Sequence, residues 1–225
     1  MPFGVSPTAF LLNKTEEKKV SYFPFFVEIK DKKCLVVGGG MVALRKIEKL
    51  LPFGVEITVV SPAFCAEIDG MNSIQRVYRK FVPADIEGKL FVIGATDDEQ
   101  VNREISALCR EQNIPVNIVD DPEKCTFFFP ALVKQGEFVA GFSTGGGSPL
   151  AAQYIRRKVE ESVPAGFDKV VEVLSSVREQ VKAEIPDIKK RERIFKEIFA
   201  FALEKEGNVS ETEIQEIIRK EGEHA

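Results

Sequence analysis

The segment Lys33-Cys-Leu-Val-Val-Gly-Gly-Gly-Met-Val-Ala-Leu-Arg-Lys46 decides the fold. Cys34–Val37 is a short apolar run of the kind that forms a strand buried on both faces. Gly38, Gly39 and Gly40 interrupt it. Beyond them Val42, Ile47, Leu50 and Leu51 recur at helical spacing until Pro52 and Gly54 stop the helix. Strand, glycines and helix fit G-x-G-x-x-A, with Ala43 small enough for close helix–strand packing. In that context one glycine permits a tight turn and another lets the backbone approach a pyrophosphate. The helix N-terminus then presents free N–H groups to the phosphates. The competing reading is a tight βα turn that binds nothing.

Outward from this segment the pattern repeats. Glu56–Val60, Ile74–Tyr78, Leu90–Ala95 and Pro115–Val119 read as four more strands, and Asp98–Gln112 as a helix. This alternation predicts an α/β, Rossmann-type domain with a parallel sheet. Upstream, Tyr22–Ile29 is apolar and β-rich, and Pro24 assigns it to an edge. Residues 1–20 read as a poorly ordered leader. After Asp120 the pattern changes. Thr126–Val133 and Glu137–Phe142 read as strands joined at Gln135-Gly136 in a hairpin. A glycine-rich loop, Ser143-Thr-Gly-Gly-Gly-Ser-Pro149, follows, with Ser148 as an N-cap and Pro149 at the first position of a helix running to about Ser162. From Ala165 the chain reads as helical. One stripe comprises Val170, Val173 or Leu174, Val177 and Val181, and another Ile194, Ile198 and Phe201. Ser210-Glu-Thr-Glu213 is a capping box ahead of Ile214, Ile217 and Ile218.

Composition narrows the chemistry. Lys and Arg number 31 against 35 Asp and Glu in 225 residues, a net charge of −4, which argues against a general binder of nucleic acid or anionic membrane. The one histidine is His224, so a histidine base, a histidine-rich metal site or a Ser-His-Asp triad is excluded unless the tail supplies it. Cys34, Cys65, Cys109 and Cys125 are scattered without a C-x-x-C pair. They offer no zinc site and suit a reduced, cytoplasmic setting. No signal peptide and no long apolar run is present, so a soluble protein is expected.

Three constellations carry chemistry. The first is Gly38, Gly39, Gly40, Met41 and Val42. The acid expected about 20 residues later, for a ribose, is absent. The second strand instead ends in Val60-Ser61-Pro62-Ala63-Phe64, where Ser61 can bond a ribose hydroxyl. No Lys or Arg lies between Glu56 and Asp69 to hold a 2′-phosphate, which favours NAD over NADP. The second is Thr96-Asp97-Asp98 and Asn117-Ile-Val-Asp120-Asp121, at strand ends where ligands of open α/β sheets bind. Asp97 or Asp98 reads as the cap of the next helix. Asp120 is harder to explain that way, and without an internal histidine it is the best candidate base. The third is the loop Ser143–Ser148, with Arg156, Arg157 and Lys158 in the helix after it. Its glycine N–H groups, hydroxyls and helix N-terminus form an anion receptor through Ser143, Gly145, Gly146 and Ser148. It lacks the lysine of a Walker A loop. The competing readings are a flexible connector and a solvated charged helix face.

In this order these sites resemble the siroheme-synthase family, the precorrin-2 dehydrogenases, some of which are also sirohydrochlorin ferrochelatases. The matching segments are Tyr22–Val27, Cys34–Lys46, Ala95–Asp98 with Val101-Asn102, Asn117–Asp120, Phe128–Ala131, and Ser143–Pro149 leading into Ala151 and Arg156. They cover roughly residues 21–165. The resemblance implies an NAD-binding domain over 21–124, a small α+β dimerisation region over 125–164 and a helical domain over 165–225, in an intertwined homodimer. It implies oxidation of precorrin-2, a polycarboxylate tetrapyrrole, to sirohydrochlorin with NAD⁺. The catalytic aspartate falls on Asp120, the cofactor positions on Gly38–Val42, Pro62, Ala63 and Thr96, and the loop serine on Ser143. The methyltransferase fused to some members has no counterpart before residue 225, and after Ala165 the match is loose. Metal insertion would require Asp120 to act both as base and as metal ligand. Two other readings are a non-catalytic NAD-sensing regulatory module and an interaction partner that shares the fold.

Overall fold

The computed structural model describes residues 22–223. The leader expected over 1–20 and His224 lie outside the described residues. The chain divides into two compact units. One is Phe25–Phe129; the other comprises the described residues from Pro130 onward together with residues 22–24.

The first unit is built from β1 (Lys33–Val37), α1 (Met41–Leu50), β2 (Glu56–Ser61), α2 (Ala66–Asp69), β3 (Gln75–Tyr78), β4 (Phe91–Gly94), α3 (Glu99–Glu111) and β5 (Val116–Ile118). The strands form one sheet in the order β3-β2-β1-β4-β5, and every pair is parallel. Side chains alternate between the faces of a strand, so each face of β1 builds its own core. Cys34 and Val36 join Ile57, Val59 and Ile93 beneath Ala43, Leu44, Ile47 and Leu50 of α1. Leu35 and Val37 join Val60, Val92 and Ile118 beneath Ile105 and Cys109 of α3. Burial on both faces explains why these strands read as continuous apolar runs. The strand order reverses between β1 and β4, so their carboxyl ends open a crevice.

Two expected strands differ. Tyr22–Ile29 has no regular structure, and Phe23, Phe25 and Phe26 are each about four-fifths exposed. Pro24 has no N–H for a ladder, and apolar composition alone does not make a strand. The strand expected over Thr126–Val133 begins only at Ala131. Residues ahead of it do other work. Thr126 N–H donates to Val116 O (2.8 Å) and Val116 N–H to Thr126 Oγ1 (2.8 Å), which closes the edge of β5. Phe127 then packs edge-on against Phe91, with ring centroids 5.7 Å apart.

The second unit contains the antiparallel hairpin β6 (Ala131–Gln135) and β7 (Phe138–Phe142), turning at Gly136, and four helices. These are α4 (Pro149–Ser162), α5 (Phe167–Glu184), α6 (Ile188–Glu204) and α7 (Glu211–Glu223). α4 packs on the hairpin. α5, α6 and α7 enclose Val177, Val181, Ile194, Ile198, Ile214 and Ile218, all positions of the sequence stripes. Phe201 of the second stripe is only half-buried, and its neighbour Ala202 is buried instead. Among the described residues no helix is long and apolar enough to cross a membrane.

The capping box forms as expected. Glu213 N–H donates to Ser210 Oγ (3.3 Å), and Ser210 N–H donates to Glu213 Oε2 (2.9 Å). The Lys205 ammonium also pairs with Glu213. Lys205, followed by the Ser210 bonds, holds the Glu213 carboxyl down at about 2, against an ordinary 4.5. A depressed carboxyl stabilises the fold fully above its unfolded value and loses that contribution as pH falls through the folded one. Glu213→Gln is therefore expected to lower the thermal midpoint at neutral pH. The difference from wild type should shrink as pH falls from 4.5 towards 2, measured by circular dichroism melts.

Candidate functional site

The carboxyl edge of the sheet is assembled by backbone contacts that tolerate no side chain. Gly38 has a left-handed φ of 120°, and its N–H donates to Val60 O (2.9 Å). A Cβ at Gly38 would lie 2.3 Å from Ala95 O, and one at Gly39 would lie 2.0 Å from Ala63 O. Gly39 O accepts from Cys65 N–H (2.8 Å). Gly40 differs from both. Its backbone is extended, and a Cβ there would meet nothing within 4 Å. It is also the N-cap of α1 and provides no side-chain cap. By contrast Asp98 caps α3, Ser148 caps α4 and Asp187 caps α6. The first N–H groups of α1 thus face open space, beside exposed Met41 and Val42. An uncapped helix N-terminus behind an empty Cβ position fits the pyrophosphate of a dinucleotide.

The flanking candidates line the same edge. The Ser61 hydroxyl donates to Ala63 O (2.7 Å), so it braces the turn and keeps only its acceptor lone pairs for a ribose. Pro62 and Ala63 are exposed beside it. Thr96 Oγ1 accepts from Asp98 N–H (3.1 Å), and Thr96 O accepts from Asn102 Nδ2 (2.8 Å). Asp98, rather than Asp97, is the helix cap; it accepts from Gln100 and Val101 N–H. Asn102 Oδ1 is buried and has no hydrogen-bond partner among the described residues. It is 3.0 Å from where a Gly94 Cβ would stand, under the end of β4.

Asp120 follows β5 with a left-handed φ of 60° and an exposed side chain. Its neighbour Asp121 is committed elsewhere. It caps the 3-10 turn Pro122–Lys124 and pairs with the Lys124 ammonium, which holds its carboxyl below the usual range. The turn carrying Asp120 is clasped by Cys125. Its sulfur accepts from Ile118 N–H (3.2 Å), and its S–H reaches Ile118 O (3.1 Å) and Asp121 O (3.2 Å). Burial pushes this thiol up, so it stays a donor.

Two residues quoted above only as parts of motifs belong to this site. Asn117 is 5% exposed, and its Nδ2 donates to Phe127 O (3.0 Å). Its Oδ1 accepts from Lys46 Nζ (3.4 Å). Asparagine in the middle of a buried strand was the available signal, because a buried amide requires partners.

The Ser143–Ser148 loop belongs to the other unit. Gly145 and Gly146 take left-handed φ values of 62° and 86°. The loop is shaped by its own bonds. Gly145 N–H donates to Ser143 Oγ (3.2 Å), Gly147 N–H to Thr144 O (3.1 Å) and Ser148 N–H to Thr144 Oγ1 (2.9 Å). Ser148 Oγ caps α4 through Ala151 N–H (3.2 Å), as expected. Three N–H groups anticipated for an anion are thereby turned towards the loop's own oxygens. Arg156 pairs with Glu160 (2.6 Å) and Lys158 with Glu161 (2.8 Å), while Arg157 is exposed. The helix after the loop is therefore less cationic than its sequence suggests.

Residues 25–131 match a family described as "Putative NAD(P)-binding". The chain is 41% identical over 182 residues to a siroheme synthase of Thioalkalivibrio sulfidiphilus, covering 80% of this chain and 37% of that protein. It is 35% identical over 184 residues to a siroheme synthase of Vesicomyosocius okutanii, covering 80% and 40%. It thus spans about two fifths of the length of these curated relatives. A solved structure of the precorrin-2 dehydrogenase SirC matches 89% of this chain and 98% of its own, with a TM-score of 0.65 and 22% identity, which shows a shared fold. Over four fifths of its length the chain is similar to siroheme synthases, and it shares the fold of a precorrin-2 dehydrogenase.

Proposed function

We propose that the chain is an NAD-dependent precorrin-2 dehydrogenase, which oxidises precorrin-2 to sirohydrochlorin in siroheme biosynthesis in the cytoplasm. The observation that carries the chemistry is the division of labour among the acids. Asp98 caps a helix and Asp121 is ion-paired, while Asp120 stands exposed at the carboxyl edge of the sheet that bears the dinucleotide cradle. The similarity to siroheme synthases supplies the substrate.

The oxidation removes a hydride and a proton from precorrin-2. NAD⁺, when bound, would supply the hydride acceptor. The Asp120 carboxylate takes the proton and passes it to water. Gly40 and the N-terminus of α1 would receive the pyrophosphate, with Gly38 and Gly39 keeping the loop tight and Met41 and Val42 beside it. Ser61, Pro62, Ala63 and Thr96 would flank the ribose and nicotinamide ends. The two arginines on the β3 side are occupied, which favours NAD over NADP. Arg79 forks onto Asp85 (2.7 and 2.6 Å), and Arg76 donates to Ile68 O (3.2 Å). The loop with Ser143, Gly145, Gly146 and Ser148 would take substrate carboxylates through the exposed groups its internal bonds leave over. Residues 125–164 would form the dimerisation region of a homodimer. Leu150 (78% exposed), Tyr154 (55%) and Ile155 (47%) of α4 present apolar surface suited to a second copy.

Asp120→Asn is expected to lose about 10²- to 10⁴-fold in kcat while keeping NAD⁺ affinity. The assay follows NADH absorbance and the sirohydrochlorin spectrum, and near-normal turnover would remove Asp120 from the role. The two glycines give a second test, by calorimetric titration with NAD⁺ and by urea denaturation. Gly40→Ala should leave stability unchanged and weaken NAD⁺ binding about tenfold or more, the loss of a hydrogen bond to a charged group. Gly39→Ala should destabilise the unit by about 1–3 kcal/mol through overpacking. Unchanged affinity in Gly40→Ala would place the pyrophosphate elsewhere.

A further inference from the structure

Tyr78 ends β3, the outermost strand on one side of the sheet, and stands in register with Ser61 at the end of β2. It is 61% exposed, yet its ring is held at two points. The phenol O–H donates to Asp69 Oδ1 at the end of α2. The ring meets Phe64 edge-on, with centroids 4.8 Å apart and planes at 83°. Asp69 is itself steadied by Arg76, whose Nε lies 3.9 Å from Asp69 Oδ1 and whose guanidinium also donates to Ile68 O (3.2 Å). Phe64 links the aromatic pair to the glycine turn, since its Cδ1 is 2.9 Å from where a Gly39 Cβ would stand.

Ordering an aromatic side chain costs entropy that burial normally offsets. Here Asp69 and Phe64 order the ring while most of its surface stays uncovered. The strand order indicates what could cover it. β1, which leads into the uncapped N-terminus of α1, lies two strands in from β3, and β5, which leads to Asp120, forms the opposite edge. Neighbouring strands stand about 4.8 Å apart, which places Tyr78 about 10 Å along the carboxyl edge from the glycine turn. Ser61, the candidate for a ribose, is one strand in. A dinucleotide on that edge, with its pyrophosphate on α1 and its nicotinamide end towards Asp120, would bring its adenine to the β3 side.

We propose that Tyr78, locked by Asp69 and Phe64, is the platform on which the adenine ring of the dinucleotide stacks. The inference rests on reading the N-terminus of α1 as the pyrophosphate receptor, and it gives the purine end of the cofactor a partner. A purine presents a flat π-face, and an exposed aromatic ring matches that face without a hydrogen-bond code. Fixing the ring beforehand lowers the entropy lost when the ligand arrives. The tetrapyrrole is also flat, but the candidate base that must reach it stands at the other edge of the sheet.

The test compares Tyr78→Ala, Tyr78→Phe and Gly40→Ala. By calorimetric titration Tyr78→Ala should bind NAD⁺ and ADP-ribose about 5- to 150-fold more weakly, the effect of removing one aromatic platform from under a base. Tyr78→Phe keeps the ring and should recover most of that loss. In turnover Tyr78→Ala should raise the KM for NAD⁺ more than the KM for precorrin-2. Wild-type NAD⁺ affinity in Tyr78→Ala, or a Tyr78→Phe as weak as the alanine variant, would overturn the proposal. A second measurement uses the wild-type sequence and does not depend on the alanine variant folding. The chain has three tyrosines. In protein labelled with fluorotyrosine, the Tyr78 fluorine resonance is assigned by its absence in Tyr78→Phe. ADP-ribose should shift it, and nicotinamide mononucleotide, which lacks adenine, should not. No shift with ADP-ribose, or an equal shift with the mononucleotide, would also overturn the proposal. Unchanged NAD⁺ affinity in Gly40→Ala would instead refute the pyrophosphate reading itself. A weakened Gly40→Ala beside an unaffected Tyr78→Ala would refute only the role of Tyr78.

Discussion

The close approach of the loop after β1 to the ends of β2 and β4 is the constraint on which this site depends. A Cβ at Gly38 or Gly39 would stand 2.3 or 2.0 Å from a backbone oxygen, so the three strand ends converge only because two glycines let backbone meet backbone. That convergence aims α1 at the crevice and leaves its first turn uncapped. It also frees Gly40 from any packing duty, which gives the third glycine a different meaning from the first two. The same three-residue run therefore contains two structural requirements and one position suited to a ligand.

Around this cradle the polar groups divide between support and chemistry. Ser61 braces a turn, Asp98 caps a helix, Asp121 is paired with Lys124, and the Cys125 sulfur clasps the turn beyond β5. Asp120 is left exposed in a left-handed conformation, which an aspartate tolerates better than most residues. The Ser143–Ser148 loop shows the same economy. Its hydroxyls and several of its N–H groups already hold its own shape, so the loop is preformed and its capacity for an anion is narrower than a run of glycines suggests.

Much of the fold was legible from periodicity. The parallel strands read as apolar runs because both faces of the sheet are covered, and the buried positions of α5, α6 and α7 are those of the sequence stripes except that Ala202 is buried where Phe201 was expected. Two strands were misread for one physical reason. Tyr22–Ile29 and Thr126–Phe129 have strand-like composition, but a strand exists only when a ladder partner is available. One segment takes no regular structure around Pro24, and the other uses its bonds to close the edge of β5 and its rings to cover the sheet.

By itself the sequence determined the alternation that makes a doubly wound sheet, the glycine turn with a helix behind it, and the short list of acids able to act without a histidine. These depend on local patterns that survive in one dimension: spacing, turn chemistry and caps. Only the folded structure decided which acid is free and which is already engaged, because Lys124 reaches Asp121 only when the backbone between them forms a 3-10 turn. It also decided that Gly40 faces open space while Gly38 and Gly39 face backbone. And it brought Lys46 to Asn117, 71 residues away, since a contact between a helix and a distant strand leaves no trace in the spacing of either.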